Sequence, residues 1–316
     1  MIDNLIDNPW LSMATARFVS QQEGQQSKKH SKSSKQSIIQ GLNHLYAPHD
    51  FDKNPNYVDI IAVPGLGSDM TYTWVSKGVH WLRDESMLRK TIPKARISVF
   101  GYRSQWYGKD AVENRLSTIS RDLLDAIKMN RRESKYKDRP IVFIGHSLGG
   151  LVVSKAVTTA KREADSFKGV IDCITACVFL GTPFRGSGAQ HLAKIIGMAG
   201  SAVGQASDND LIRTLKPNSQ ELLELADEFL ADVGKVQIDV VCYFELEKTN
   251  GMIIADEKSS TFEGKPRYSW ARTHSQMNKF DGPKDGHYRQ LSGTLKEFAN
   301  QSFKKIKLRR DGECAS

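Results

Sequence analysis

Ile141-Val-Phe-Ile-Gly-His-Ser-Leu-Gly-Gly-Leu-Val-Val153 is the stretch that decides the fold of this chain. It opens on four apolar residues, Ile141 to Ile144, which read as a strand buried on both faces, as in a parallel sheet. From Leu151 to Ala160 it reads as a helix. Between the two stands Gly145-His-Ser-Leu-Gly149, a Gly-x-Ser-x-Gly pattern that average composition produces about 0.1 times by chance in a chain of this size. A serine on so sharp a strand-to-helix turn needs small neighbours, and Gly145, Gly149 and Gly150 supply them. The free N–H groups of the helix start then face any anion that develops beside the serine. This context makes Ser147 a candidate nucleophile on an elbow. The alternative is a Gly-rich turn with an incidental serine.

Outward from the elbow, strand and helix patterns alternate. Tyr57–Val63 and Arg96–Tyr102 read as strands, and Leu116, Ile119, Leu123, Leu124 and Ile127 form a helical stripe. Ile171–Leu180 is the next strand. A helix starts behind Pro217, with Asn218 and Glu221 as its opening signal, and Gly234 marks its end. Val236–Phe244 reads as a strand and Met252–Ala255 as a short one. Tyr288, Leu291, Leu295 and Phe298 make a closing helical stripe. Such alternation predicts an α/β fold with a mostly parallel central sheet and helices on both faces. With the elbow at a strand end, the expectation is an α/β-hydrolase fold.

The chain has 316 residues, 39% of them hydrophobic, enough for one large core. The expected layout is a disordered basic arm over residues 1–37, a hydrolase domain over 38–300 and a basic tail over 301–316. The arm is predicted from Val19–Ser37, which is almost devoid of apolar residues. The net charge of +9 sits largely outside the middle of the chain: residues 11–49 carry five Lys/Arg against one acidic residue, and residues 301–316 carry five against two. That distribution argues against a nucleic-acid groove built into the fold. It leaves solvated ends or weak contact with an anionic membrane. No apolar run approaches the roughly 18–20 residues that span a bilayer. Of the four cysteines, Cys173, Cys177 and Cys242 fall inside predicted strands and suit core packing, while Cys314 stands one place too late for prenylation. No Cys-x-x-Cys pair suggests zinc. Neither a metal nor an organic cofactor is expected. The first residues lack a secretory pattern, so a cytoplasmic location is expected, with organellar targeting by the Ser/Lys/Gln-rich residues 13–37 as the alternative.

Val63-Pro-Gly-Leu-Gly67 follows an early strand, where this fold takes its second oxyanion donor. The backbone N–H of Leu66 is expected to join that of Leu148. A plain Gly-rich turn is the alternative. A dinucleotide fingerprint is excluded, because the third glycine and the following acidic residue are missing.

Several stretches together resemble the serine esterase and lipase branch of α/β-hydrolases, which includes inositol-deacylase-like proteins, "serine active site containing" proteins and the hydrolase domains of fungal NACHT or ankyrin proteins. They are Val63–Ser68 with Thr73-Trp74, Phe100-Gly-Tyr-Arg-Ser104, Phe143–Val153, Phe179-Leu-Gly-Thr-Pro-Phe-Arg-Gly-Ser187 and His274-Ser-Gln-Met-Asn-Lys-Phe280. The resemblance spans roughly residues 57–298. It departs at Pro64-Gly65, where the family has His-Gly; a backbone donor survives that change.

In this fold the acid and then the histidine follow the nucleophile in the chain. His30, His44, His49 and His80 precede Ser147, His146 belongs to the elbow and His191 comes before the late strands. His274 and His287 remain. His274 is the preferred base, from its loop position and from the resemblance. Glu245, at the end of the next-to-last strand, is the first choice for the acid, and the resemblance supports it; Glu247 and Asp256 compete. Residues 184–217, rich in small residues with apolar Leu192, Ile195 and Ile196, fall where a helical lid insertion is expected over the site, mobile or simply packed.

The reading is an ester hydrolase acting on a substrate with an apolar acyl or alkyl group, such as a lipid, through an acyl-enzyme. The alternatives are a signalling or effector module with little catalysis, and a pathway thioesterase or acyltransferase that uses the same residues.

Overall fold

The computed structural model describes residues 40–65, 72–102, 112–132, 137–185, 220–249 and 251–313. The expected N-terminal arm, Leu66, Cys314 and all but the first two residues of the expected lid lie outside them.

The strands are β1 (Gly41–Tyr46), β2 (Val58–Val63), β3 (Val75–Ser76), β4 (Val79–His80), β5 (Ala95–Gly101), β6 (Ile141–His146), β7 (Ile174–Leu180), β8 (Asp239–Glu245) and β9 (Arg267–Trp270). The helices are α1 (Leu88–Thr91), α2 (Val112–Arg132), α3 (Leu148–Arg162), α4 (Ala164–Ile171), α5 (Gln220–Val236), α6 (Glu257–Ser260) and α7 (Gly286–Glu313). Seven strands form one sheet in the order β1-β5-β2-β6-β7-β8-β9, while β3 and β4 pair as a separate hairpin. Only β1 runs antiparallel to its neighbour in the seven-stranded sheet.

Two-residue alternation sends the strand side chains into two cores. Ile61, Val63, Phe143, Cys177, Phe179, Val240 and Cys242 pack with Leu123, Leu124 and Ile127 of α2, Leu151 and Val152 of α3, and Phe229 of α5. Ile60, Ala62, Val142, Ile144, Val178 and Tyr243 face the other way, onto Trp74, Trp81, Leu88 and the Leu291 and Leu295 stripe of α7. Burial on both faces explains the unbroken apolar run Ile141–Ile144 in β6. This is an α/β-hydrolase fold. Among the described residues no helix is long and apolar enough to cross a membrane.

Several boundaries differ from the sequence reading. Ile171 ends α4, where it is buried with Phe167 and Val170 at helical spacing, and β7 begins only at Ile174. Gly234 lies inside α5; the helix stops instead before Gln237, whose φ of 58° breaks the turn. Met252–Ala255 is not a strand. Its backbone makes one bridge, Thr249 to Met252, and then turns the Ile254 and Ala255 N–H groups onto a side chain. The edge strands β1 and β9 carry no clean apolar alternation, and the sequence reading contains neither.

Residues 301–313 of the expected basic tail form the last stretch of α7, and 314–316 lie outside the described residues. The stretch is docked rather than solvated because its inward residues find partners. The Ser302 and Thr175 hydroxyls lie 2.7 Å apart, Ile306 is buried, and Arg309 donates to the Asp172 and Ile174 carbonyls at 2.8 Å each. Lys305 pairs with Asp239 and Arg310 with Asp138. Of the charge read as a tail, Lys305 and Arg309 are engaged against the body of the fold and Arg310 pairs at its surface.

Candidate active site

The site gathers at the carboxyl ends of β6, β7, β8 and β9, four neighbouring strands, as open parallel sheets favour. Ser147 is the single residue between β6 and α3. Its φ of 52° and ψ of −131° put a non-glycine residue in a strained conformation, which costs of order 1–3 kcal/mol and is held by its surroundings. Its N–H donates to the Leu180 carbonyl at 3.0 Å, and its own carbonyl accepts from Gly150 at 3.0 Å. Small neighbours are required. A Cβ on Gly149 would lie 2.3 Å from the Val63 and Pro64 oxygens, and one on Gly145 would lie 2.6 Å from Gly150 Cα. Leu148 opens α3, so its N–H has no acceptor within the helix and stands beside the serine.

His274 follows β9 in a short 3-10 turn, and its ring is buried. Nε2 lies 2.8 Å from Ser147 Oγ, and Nδ1 lies 2.7 Å from Glu245 Oε2. Glu245 is the last residue of β8. Its Oε1 accepts the backbone N–H groups of Ile254 at 2.5 Å and Ala255 at 3.0 Å. With the carboxylate as acceptor, His274 carries its proton on Nδ1 and turns the Nε2 lone pair to the serine hydroxyl. Gly181, at the end of β7 with a φ of +57°, lets these side chains meet: a Cβ there would stand 3.2 Å from His274 Nδ1 and 3.5 Å from Glu245 Oε2.

The backbone of His274 is held at both ends. Its N–H donates to the Thr249 hydroxyl at 3.0 Å, and its carbonyl accepts from His146 Nε2 at 3.3 Å. Burial, and next the charge on His274 when it is protonated, push the pKa of His146 down to about 3, so this second imidazole stays neutral. A capping box between Thr273 and Gln276 fixes the turn. Arg272 braces the loop between this turn and α7, donating to the Lys279 carbonyl and the Asp285 carboxylate at 2.5 Å each.

Of the residues singled out in the sequence, the structure brings Ser147, His274, Glu245 and the start of α3 together. Glu247 is exposed. Asp256 is also exposed and caps α6 by accepting the Ser259 N–H at 2.8 Å. His287 accepts from Arg272 Nε at 2.9 Å rather than facing Ser147. Sequence reasoning misses Thr249, Arg272 and Asn278, which act through pairings that leave no local pattern. Among the described residues no group of three or more His, Cys, Asp and Glu side chains could hold a metal ion.

Comparison with known proteins gives a family and a fold. A family model described as "Putative serine esterase (DUF676)" matches residues 61–224. Protein SERAC1 of Danio rerio is 26% identical over 165 residues, which are 46% of this chain and 24% of that protein. Protein phosphatase methylesterase 1 of Gibberella zeae is 34% identical over 91 residues, 27% of this chain and 23% of that one. The chain thus matches about a quarter of the length of these two relatives. Among solved structures, phospholipase PlaB from Legionella pneumophila superposes with a TM-score of 0.50 at 15% identity, over 79% of this chain and 63% of that chain. At that identity the likeness is one of fold.

Proposed function

The chain belongs to the family described as "Putative serine esterase (DUF676)", and on that premise we propose that it hydrolyses a carboxylic ester through a covalent intermediate on Ser147. The observation that carries the reading is the unbroken series Ser147 Oγ–His274–Glu245, with contacts of 2.8 and 2.7 Å. His274 Nε2 takes the hydroxyl proton as Oγ attacks the ester carbonyl carbon. The carbonyl oxygen becomes an oxyanion, facing the N–H of Leu148 and, as the sequence leads us to expect, that of Leu66. The protonated imidazole then gives its proton to the departing alkoxide, leaving an acyl group on Oγ. Water, deprotonated by the same nitrogen, attacks that acyl group; the acid leaves and Oγ recovers its proton. Glu245 keeps the imidazole in the required tautomer and stabilises its cationic form.

The substrate in this reading carries a substantial apolar acyl or alkyl group, of the kind found in lipids. Each methylene buried is worth about 0.8 kcal/mol, roughly a fourfold gain in binding until the pocket fills. A fluorophosphonate probe is expected to label the protein and to lose that label in Ser147→Ala. Activity on p-nitrophenyl esters is expected to rise from acetate towards octanoate. Equal labelling of Ser147→Ala sinks the nucleophile, and a flat or falling chain-length profile sinks the apolar substrate.

A further inference from the structure

Each partner of the His274 ring has a companion that grips the backbone of the same residue. Ser147 Oγ lies 2.8 Å from Nε2, and the residue directly before it, His146, donates its Nε2–H to the His274 carbonyl at 3.3 Å. Glu245 Oε2 lies 2.7 Å from Nδ1, and Thr249, further along the same loop, accepts the His274 N–H on its hydroxyl at 3.0 Å. The elbow and the loop after β8 thus each hold His274 by the ring and by the main chain, and all of these contacts are buried.

A peptide unit is planar, so fixing the N–H and the carbonyl of one residue fixes the planes on both sides of its Cα. The direction of the Cα–Cβ bond is then set, and the ring contacts settle the side-chain torsions. The turn does not supply this by itself. A helical turn leaves its first N–H groups without internal partners, and the capping box serves those of Thr273 and Gln276. The His274 N–H therefore takes its acceptor from outside, at Thr249. The carbonyl closes the turn by accepting from Met277 at 3.3 Å and takes His146 as a second donor.

His146 suits that place. Trp74 packs edge-on against its ring at 6.4 Å between centroids, and Asn278 Nδ2 donates to the carbonyl of the preceding Thr73 at 2.7 Å. A carbonyl only accepts, so the His146 proton is on Nε2. The two imidazole centroids stand 5.4 Å apart. A cation so close would oppose the imidazolium that His274 becomes during the reaction, and His146 stays neutral.

We propose that His146 and Thr249 are positioning residues for the base, each tying the backbone of His274 to the element that carries one of its ring partners. Neither touches the reacting atoms. Together they keep Nε2 in line with Ser147 Oγ, and then with the departing oxygen to which it returns the proton. This inference rests on the esterase reading above.

The test uses the full chain with p-nitrophenyl butyrate and phenyl butyrate, which share an acyl group. Phenolate is the stronger base and depends more on the proton that Nε2 returns. Thr249→Val keeps the shape and removes the acceptor; His146→Phe keeps a ring and removes the donor. A misplacement of about 1 Å can lower a rate by about 10², so each folded variant is expected to lose about tenfold or more in kcat/KM on the p-nitrophenyl ester. The loss on the phenyl ester should be severalfold greater. Thr249→Ser and His146→Gln, which restore a hydroxyl and an N–H, should recover most of it. Thermal unfolding reports which variants are folded, and His146→Leu replaces His146→Phe if that one is not. A role limited to stability would lower both esters by the same factor. That result overturns the proposal, as does a folded Thr249→Val or donor-free His146 variant within about twofold of wild type, or no recovery in the Ser and Gln variants. If the wild-type chain shows no Ser147-dependent hydrolysis, the esterase reading itself fails and this inference falls with it. If wild type is active and the variants match it, only this inference fails.

Discussion

Ile254 donates its backbone N–H to Glu245 Oε1 at 2.5 Å, the carboxylate oxygen that His274 leaves free. With Ala255 donating to the same oxygen, Glu245 acts as acceptor at both ends. A carboxylate can do this and an amide cannot. The turn at Ile254 and Ala255 thereby keeps the acid from rotating away from the imidazole.

Glu245→Gln is accordingly expected to fail in either orientation. If the amide oxygen faces His274, the amide nitrogen confronts two backbone donors. If it is flipped, it presents N–H to the imidazole and favours the wrong tautomer. Ester hydrolysis should fall by about 10²–10⁴ in kcat, in line with loss of the acid in comparable arrangements. Stability should fall by about 1–3 kcal/mol in the first orientation, from buried donors left without an acceptor, and by less in the flipped one, where those donors keep theirs. Glu247→Gln and Asp256→Asn, both at exposed positions, should stay near wild type. Steady-state kinetics and urea unfolding of the three variants check this, and near-normal turnover in Glu245→Gln would move the acid elsewhere.

Much of this arrangement is legible in the sequence because its parts are local. Gly145-His-Ser-Leu-Gly149 between an apolar run and a helical stripe implies the elbow by itself, and chain order reduces the histidines to two. The acid is harder to read. Glu245, Glu247 and Asp256 lie within a dozen residues, and what selects Glu245 is burial at a strand end plus two N–H groups that arrive from residues 254 and 255. The expected short strand at Met252–Ala255 misses that device, since apolar β-formers there serve a turn. The helical character of residues 301–313 is hidden for a different reason. The segment is rich in lysine and arginine, and its few inward residues, Ser302, Ile306 and Arg309, find partners on β7 and the loop before it.

Two buried histidines make stability depend on pH. His80 has both ring nitrogens buried without a hydrogen-bond partner among the described residues. Burial, with Arg83 nearby as a smaller cause, lowers its pKa to about 4, and His146 is lowered to about 3. In the unfolded chain both titrate near 6.5. Above that value neither state binds a proton, and the contribution of these groups is fully present. As pH falls through 6.5 the unfolded chain takes up protons that the folded one refuses, so stability falls until the folded values are reached. Each histidine contributes a slope of up to about 1.4 kcal/mol per pH unit. Urea unfolding at pH 7.5, 6.0 and 5.0 should show the decline, and His80→Gln should flatten it by about one proton whatever its effect at pH 7.5. A wild-type stability constant from pH 7.5 to 5.0 would contradict this account.

The end of α7 offers a test of whether residues 301–313 belong to the core. A solvated basic tail could be removed without cost. In the structure Ile306 is 6% exposed, and Arg309 satisfies the Asp172 and Ile174 carbonyls where the chain passes from α4 into β7. β7 lies in the middle of the sheet and leads into Gly181 beside His274, so loosening its start disturbs the strand that carries part of the site. Ile306→Ala should lose about 2 kcal/mol, at the low end for a large-to-small change because the site lies near the surface. Arg309→Ala should lose about 1–2 kcal/mol through the carbonyls it leaves behind. The two residues sit three apart on one helix, so the double variant should deviate from additivity. Lys307→Ala, at an exposed position on the same helix, should fall within about 0.5 kcal/mol of wild type. Urea midpoints measured for all four variants decide the matter. If Ile306→Ala and Arg309→Ala unfold at the wild-type midpoint, this end of the helix adds nothing to the fold and its charge is free for other use.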